Sequence, residues 1–313
     1  MRNRLITIAL GAALTAGCKV GPNYHRPNVQ IPAAFRGPAA SDQGRTQAAS
    51  YADLPWWQVF QDPELQELIR TAVKQNYDLQ LAVERINAAR AQLAITRSNL
   101  FPQLQGEAGG TGGKEYTLQS KYNFLVLAVD ATFQLDLFGR LRRATEAARA
   151  QLLSTEDAQQ TVVLTLVSDV ASDYFALLDL DLQLQISRDT VKTQEDDVKL
   201  TKLQMVHGVA TKLDVLQAQQ VLDTANAAIP DLERQIAQEE NAISILLDNY
   251  PQGVERGRPL VDQPLPPEVP PGLPSALLER RPDIRQAEQN LVAANAEIVR
   301  FRQPCMTTPD RSC

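Results

Sequence analysis

The spacing of apolar residues changes period along the chain, and each change predicts an element. Leu65, Leu68, Ile69, Ala72 and Val73, then Leu79, Ala82, Val83, Ile86, Ala89 and Leu93, recur every three or four places, which predicts a helix with one buried stripe. Asp62-Pro63-Glu64 opens it with an N-cap, a proline at the first helical position and an acid in the first turn. It is expected to stop near Phe101-Pro102. The period then becomes two. Leu127, Val129, Ala131, Phe133, Leu135 and Leu137 are apolar, while Asp130, Thr132, Gln134 and Asp136 are polar, so one face of this strand suits lipid or a core and the other suits water. The preceding residues 103–116 alternate weakly around glycines, and residues 109–121 would supply the connecting loop. A strand of about ten residues with an apolar face is the unit of an outer-membrane barrel. An ordinary amphipathic hairpin on a soluble core is the alternative. No neighbouring sequence offers a layer to bury that face, so a membrane β-hairpin over about 103–138 is the reading here.

Residues 140–207 run for sixty-eight positions without a glycine or proline. As one helix they would reach about 100 Å, where the average globular helix has about three turns. Val163, Val170, Leu177, Leu184, Val191, Val198 and Met205 lie seven apart, as do Val215, Leu222, Ile229, Ile236 and Ile243 after the next turn. A strict seven-residue repeat predicts a left-handed supercoil. Gly208-Val209-Ala210 leaves room only for an antiparallel reversal, and Thr211 with Asp214 gives a capping-box-like start to the returning helix. Pro230 should kink that helix. The fold expected is mainly α with a membrane β-hairpin, built around a long antiparallel coiled-coil hairpin over 140–249.

Residues 251–274 carry eight prolines and read as a linker, extending to residue 280. Beyond the linker the chain repeats itself. Residues 281–298 align with 76–93 at a constant offset of 205, matching Asp78 to Asp283, Ala82 to Ala287, Ile86 to Leu291 and Leu93 to Ile298. The second copy occupies 281–299; residues 300–313 form a polar tail without helical period, read as an unrelated, frameshift-like ending. Residues 62–250 are then a first repeat and the second is incomplete.

Composition and termini narrow the function. Net charge is −6, which gives no footing for nucleic acid, and aromatics are only 5%. No run of about eighteen apolar residues follows the leader, so no transmembrane helix is expected. Arg2 and Arg4, the apolar stretch 5–14, and Ala16-Gly17 before Cys18 read as a signal peptide over 1–17. Cysteine at that place resembles a bacterial lipoprotein signal, so a covalent lipid on Cys18 is expected at the head of an extended segment over 18–61. Lys19 behind it goes with outer-membrane sorting. Cys305 and Cys313 offer neither metal spacing nor a disulfide framework. His25 and His207 lie far apart with no acid–nucleophile constellation, so no enzyme site is expected.

These features resemble TolC-like outer-membrane efflux channels, specifically the NodT-type lipoproteins of tripartite, RND-type efflux systems. The resemblance rests on CKVGPNYHRP at 18–27, Trp56-Trp57 leading to Phe60 and Asp62-Pro63, DLFGR at 136–140, GVAT at 208–211 with Asp214, and GLPSALLERRPD at 272–283. It implies a homotrimer whose subunits jointly close one outer-membrane β-barrel of twelve strands, four from each. The barrel continues into an α-helical tunnel through the periplasm. The channel would be a passive conduit for small molecules, without cofactor or metal. A periplasmic adaptor and an inner-membrane pump would dock at the tunnel tip, placing Gly208, Val209, Ala210 and Thr211 in the adaptor-facing turn. Asp214 falls where such channels place an acidic member of a closed-state gate, with simple helix capping as the bland alternative. Gly139 and Arg140 form the strand-to-helix turn. Arg140, Arg142 and Arg143 sit where a helix macrodipole disfavours cations, which the barrel's polar interface or a solvated basic turn would explain.

The competing reading is a periplasmic coiled-coil adaptor lipoprotein. It should carry glycine-rich lipoyl-like halves on both sides of its hairpin, and none occur. With two strands per subunit a trimer offers six, below the about eight of the smallest usual barrels, so this form is expected not to conduct.

Overall fold

The computed structural model describes residues 22–28, 55–115, 120–264 and 278–302. Within the stretch expected to be extended, Trp56–Val59 form one helical turn, α1. Helix α2, Pro63–Gln75, then starts as the sequence predicts: the Asp62 carboxylate accepts the Glu64 N–H at 3.0 Å and Pro63 needs no donor partner.

The single helix expected up to Phe101 is two. Helix α2 ends at Gln75 and α3 runs from Tyr77–Ser98. Asn76 causes the break. Its ψ of 126° leaves the helical region, its Oδ1 accepts the Leu79 N–H at 3.0 Å, and its Nδ2 donates to the Leu246 carbonyl at 3.1 Å. The Tyr77 N–H donates to the Asp248 carboxylate at 2.7 Å. Two orphan N–H groups at the start of α3 are therefore satisfied by side chains, one of them from the far end of the chain's helical hairpin.

The β-hairpin is present with different bounds. Strand β1, Gln103–Glu115, pairs antiparallel with β2, Ser120–Thr132, in register from Gln103 opposite Thr132 to Glu115 opposite Ser120. Residues 109–115, expected as loop, are paired strand. Their glycines weaken strand propensity, but the ladder to the apolar β2 outweighs it. Strand β2 stops at Thr132 and not near 138, because residues 133–139 turn the chain into helix α4.

Helix α4 spans Arg140–Val206, sixty-seven residues, and α5 returns over Lys212–Leu246 with Pro230 inside it. At its end Asp248 takes a left-handed φ of 54°, and the Asn249 and Asp248 N–H groups bond back to Ser244 and Ile245. By length and composition α4 includes a segment apolar enough to cross a membrane. Its residues Leu166, Val167, Val170, Tyr174 and Leu177 are instead buried in the protein.

The chain divides into two compact units. One holds residues 31–82 and 159–280. Its core combines Leu65, Ile69 and Ala72 of α2 with Val170, Tyr174 and Leu177 of α4, Ile243 of α5, and Val254 beyond it. Each fully buried Leu or Ile here contributes about 2–3 kcal/mol of transfer free energy. Further along the hairpin the heptad seam thins to Val191, Val198 and Leu222, with Ala218, Ala225 and Ile229 against them.

Residues 251–264 of the proline-rich stretch are docked on this core and include a short 3-10 turn at Leu260–Asp262. Buried Asp62 gathers them: its carboxylate accepts Gln263 Nε2 at 2.6 Å, Tyr174 Oη at 3.0 Å and the Arg258 N–H at 3.3 Å, besides Glu64. Tyr174 Oη accepts the Gly257 N–H at 2.9 Å. Residues 265–277 lie outside the described part.

The other unit holds residues 1–30, 83–158 and 281–313. Helix α6, Pro282–Arg302, covers the stretch read from the sequence as a second copy, and it runs three residues into the stretch expected to be non-helical tail. The copies bury different faces. Leu79, Ala82 and Ile86 are buried in α3, whereas in α6 Leu291 and Ile298 are exposed and Ala293 and Ala296 are buried. A polar seam joins α6 to α4, where Ser154 Oγ donates to Asn290 at 2.8 Å and Arg285 pairs with buried Asp157 at 2.8 Å. Residues 22–28 lie against the same helices: Arg143 donates to Asn23 at 2.8 Å, and Arg26 pairs with Glu288 at 2.9 Å.

Candidate functional site

The reversal between α4 and α5 is built from a few residues. Gly208 has φ +78°, the left-handed conformation that favours glycine. Its N–H bonds to the Met205 carbonyl at 3.0 Å and the Val209 N–H to Gln204 at 2.9 Å, the paired bonds of a Schellman ending. Thr211 then caps α5. Its Oγ1 accepts the Asp214 N–H at 3.3 Å, and Asp214 Oδ2 accepts the Thr211 N–H at 2.7 Å and its hydroxyl at 2.8 Å. These bonds from the Thr211 backbone and hydroxyl hold the Asp214 carboxyl below its usual range. The geometry therefore gives Asp214 a capping role in this chain. Around the turn the surface is apolar: Val206 is 76% and Val209 77% exposed, with Leu203, Leu213 and Leu216 exposed beside them. A shallow groove between the arms has Asp197, Asp214, Gln204 and Ala218 on its walls.

The second region is the hairpin of β1 and β2. Its register sorts side chains cleanly. On one face lie Leu104, Gly106, Ala108 and Gly110 with Leu125, Leu127, Val129 and Ala131; on the other lie Gln103, Gln105, Glu107, Asp130 and Thr132 with Phe124 and Val126. Over residues 104–110 and 125–131 the first face has no polar side chain, and Leu104, Leu125, Leu127 and Val129 are each 75–80% exposed. Such a face in water would cost free energy for every side chain; against hydrocarbon it is at home.

At the corner between strand and long helix, Gly139 has φ +77°. Asp136 reaches past it, its carboxylate accepting the Arg142 N–H at 3.0 Å. An acid thus sits at the positive end of the α4 macrodipole, offsetting Arg140, Arg142 and Arg143. Arg140 turns back to Gln134 at 2.9 Å, while Arg143 is buried and pairs with Glu146 at 3.0 Å. The basic turn is therefore partly interior, and no local pattern around residues 140–143 signals that.

Cys18, the expected lipidation site, and the tail cysteines Cys305 and Cys313 lie outside the described residues. Among the described residues no group of three or more His, Cys, Asp or Glu side chains is placed to hold a metal ion. Sequence reasoning missed the docking of residues 251–264 and the role of Arg256, whose guanidinium pairs with both Asp181 and Glu240. The one available signal was three charged residues and two glycines interrupting the prolines at 253–258.

Residues 68–248, more than half of the chain, match the family model described as outer membrane efflux protein. The chain is 36% identical over 311 residues to the probable efflux pump outer membrane protein TtgC of Pseudomonas putida, spanning 95% of this chain and 63% of that protein. It is 34% identical over 298 residues to the cation efflux system protein CusC of Escherichia coli, spanning 94% and 64%. Its fold superposes on the open-state MtrE outer membrane channel of Neisseria gonorrhoeae with a TM-score of 0.77 at 29% identity, over 91% of this chain and 63% of that one. The chain thus spans somewhat under two thirds of the length of the relatives it matches. None of these relatives is an adaptor, and that reading finds no support.

Proposed function

Since this chain belongs to the outer membrane efflux protein family, we propose that it serves as a subunit of an outer-membrane export conduit within a tripartite efflux system. The observation that carries the proposal is the strand register, which places an exposed apolar stretch, residues 104–110 with 125–131, on one face of a hairpin that leads into a sixty-seven-residue helix. Strand edges left unpaired cannot persist in hydrocarbon, so β1 and β2 would pair with further strands, and three copies of this hairpin alone supply six, fewer than the about eight of the smallest usual barrels. The long hairpin would then form part of the periplasmic tunnel, and the apolar tip around Gly208, Val209, Ala210 and Thr211 would face the adaptor that links it to an RND-type inner-membrane pump. Covalent lipid on Cys18 would hold the N-terminal segment at the same membrane. The Asp214 carboxylate, capping α5 and standing in the groove between the arms, would act as a gate residue only if a neighbouring subunit brings a cation to it. The chain would provide passage and the pump would choose what is moved.

Membrane fractionation of the expressed chain together with its Cys18→Ser variant tests this reading. The parent protein is expected in the outer-membrane fraction, resistant to carbonate extraction, with the variant retaining hairpin-dependent association. Recovery of both proteins as soluble periplasmic species would overturn it.

A further inference from the structure

Arg256 lies beyond the helical hairpin in sequence, yet it touches both of the hairpin's arms. Its Nε donates to Asp181 of α4 at 2.9 Å, and its Nη1 donates to Glu240 of α5. The Val254 N–H also reaches Glu240, at 3.4 Å. On either side of this bridge the segment is fixed to the same bundle: Val254 is buried in the core, and Gly257, Arg258 and Gln263 are gathered by Tyr174 and Asp62. The approach is close enough to need a glycine, since a Cβ on Gly257 would lie 2.3 Å from Asp62 Oδ1. Without the guanidinium, two carboxylates on opposite arms would face one another with no strap cation between them, and like charges at that range repel. Farther toward the turn the arms are joined mainly by the thin seam of Val191, Val198 and Leu222 and by an exposed ion pair, Arg188 with Glu233 at 2.8 Å.

We propose that residues 254–263 are a clamp on the root of the helical hairpin, holding α4 to α5 through Arg256 and the Asp62 clasp so that the arms flex only on the tip side of Asp181 and Glu240. The proline-rich stretch therefore has a mechanical role besides joining the two repeats. It sets the point from which the hairpin bends.

Hydrogen–deuterium exchange on the full chain, extracted from membranes, tests the clamp. In Arg256→Gln, amides over 178–184 and 236–243 are expected to exchange about tenfold faster, the effect of losing one charge-assisted hydrogen bond, while those over 191–198 and 218–225 keep their rates. Glu240→Gln removes only the α5 leg and is expected to give the same selective change at smaller size. It decides the matter alone if the first variant does not fold. Faster exchange confined to 254–263, equal acceleration in every helix, or no change in either region would each overturn the proposal.

Discussion

Asp62 is a helix cap that became a hub. Burial pushes its carboxyl up, but the donors Gln263, Tyr174, Arg258 and Glu64 together outweigh that and leave it below its usual range. Tyr174 moves the other way, pushed up to about 12 by burial and then by Asp62 itself, although the Gly257 N–H works against the rise. A depressed carboxylate adds stability above its unfolded value near 3.8, and that stability is lost as the pH falls through the folded value. Asp62→Asn keeps the shape but replaces one accepting oxygen by a donor, and should cost about 1–3 kcal/mol with a flatter acid limb in a melting-temperature-versus-pH series. Asp173 has the opposite sign. Burial and then Asp169 raise it, and Glu239 across the hairpin is likewise raised by burial and by Asp173. A raised carboxyl costs stability at neutral pH, and the cost disappears as the pH falls through the folded value toward 3.8. Asp173→Asn should therefore stabilise the chain at pH 7, by about 0.3–0.5 kcal/mol for a half-exposed like-charge pair, and not at pH 3. Equal melting shifts at both pH values would contradict that account.

Among the elements, the helical hairpin is the most legible. Its seven-residue repeat, Gly208 and the Thr211–Asp214 pair are local signals; the structure puts the reversal and the cap where the sequence predicts them and buries Val170, Leu177, Val191, Val198, Leu222 and Ile243 of the repeat, while Met205 is exposed. A Cβ at Gly208 would meet nothing within 4 Å, so Gly208→Val should cost only the left-handed backbone strain, about 1–2 kcal/mol in thermal unfolding, with no packing loss. What stayed hidden depended on partners distant in sequence. Asn76 breaks a helix because Leu246 and Asp248 are there to receive it, and nothing between 62 and 101 encodes that. The glycines of β1 read as loop because propensity is local, whereas their pairing with β2 is not. Similarly, proline content marked residues 251–264 as a connection while Val254 and Arg256, which dock it, carried no periodic signal at all. The helical spacing after residue 281 pointed to a helix there but not to the stripe it would bury, since that is set by its neighbours.

At the scale of the whole molecule, the exposed face of the β-hairpin is the feature that ties the chain to a membrane. Leu127→Arg places a cation in the middle of that face and should cost about 2–4 kcal/mol of insertion free energy near the midplane, seen as loss of protein from the outer-membrane fraction. Gln105→Arg, on the polar face of the same hairpin, should leave that fraction unchanged; equal losses would mean that the faces are not sorted between lipid and water. The bridge at Arg256 has a consequence of leverage. From Asp181 to the end of α4 at Val206 the arm runs for about 38 Å. A rotation of about 5° at such a root displaces the far end by about 3 Å, nearly the diameter of a methyl group. Whatever meets the turn at Gly208 must find it within that tolerance, so a loosened root at Arg256 is magnified along the arm before it reaches the tip.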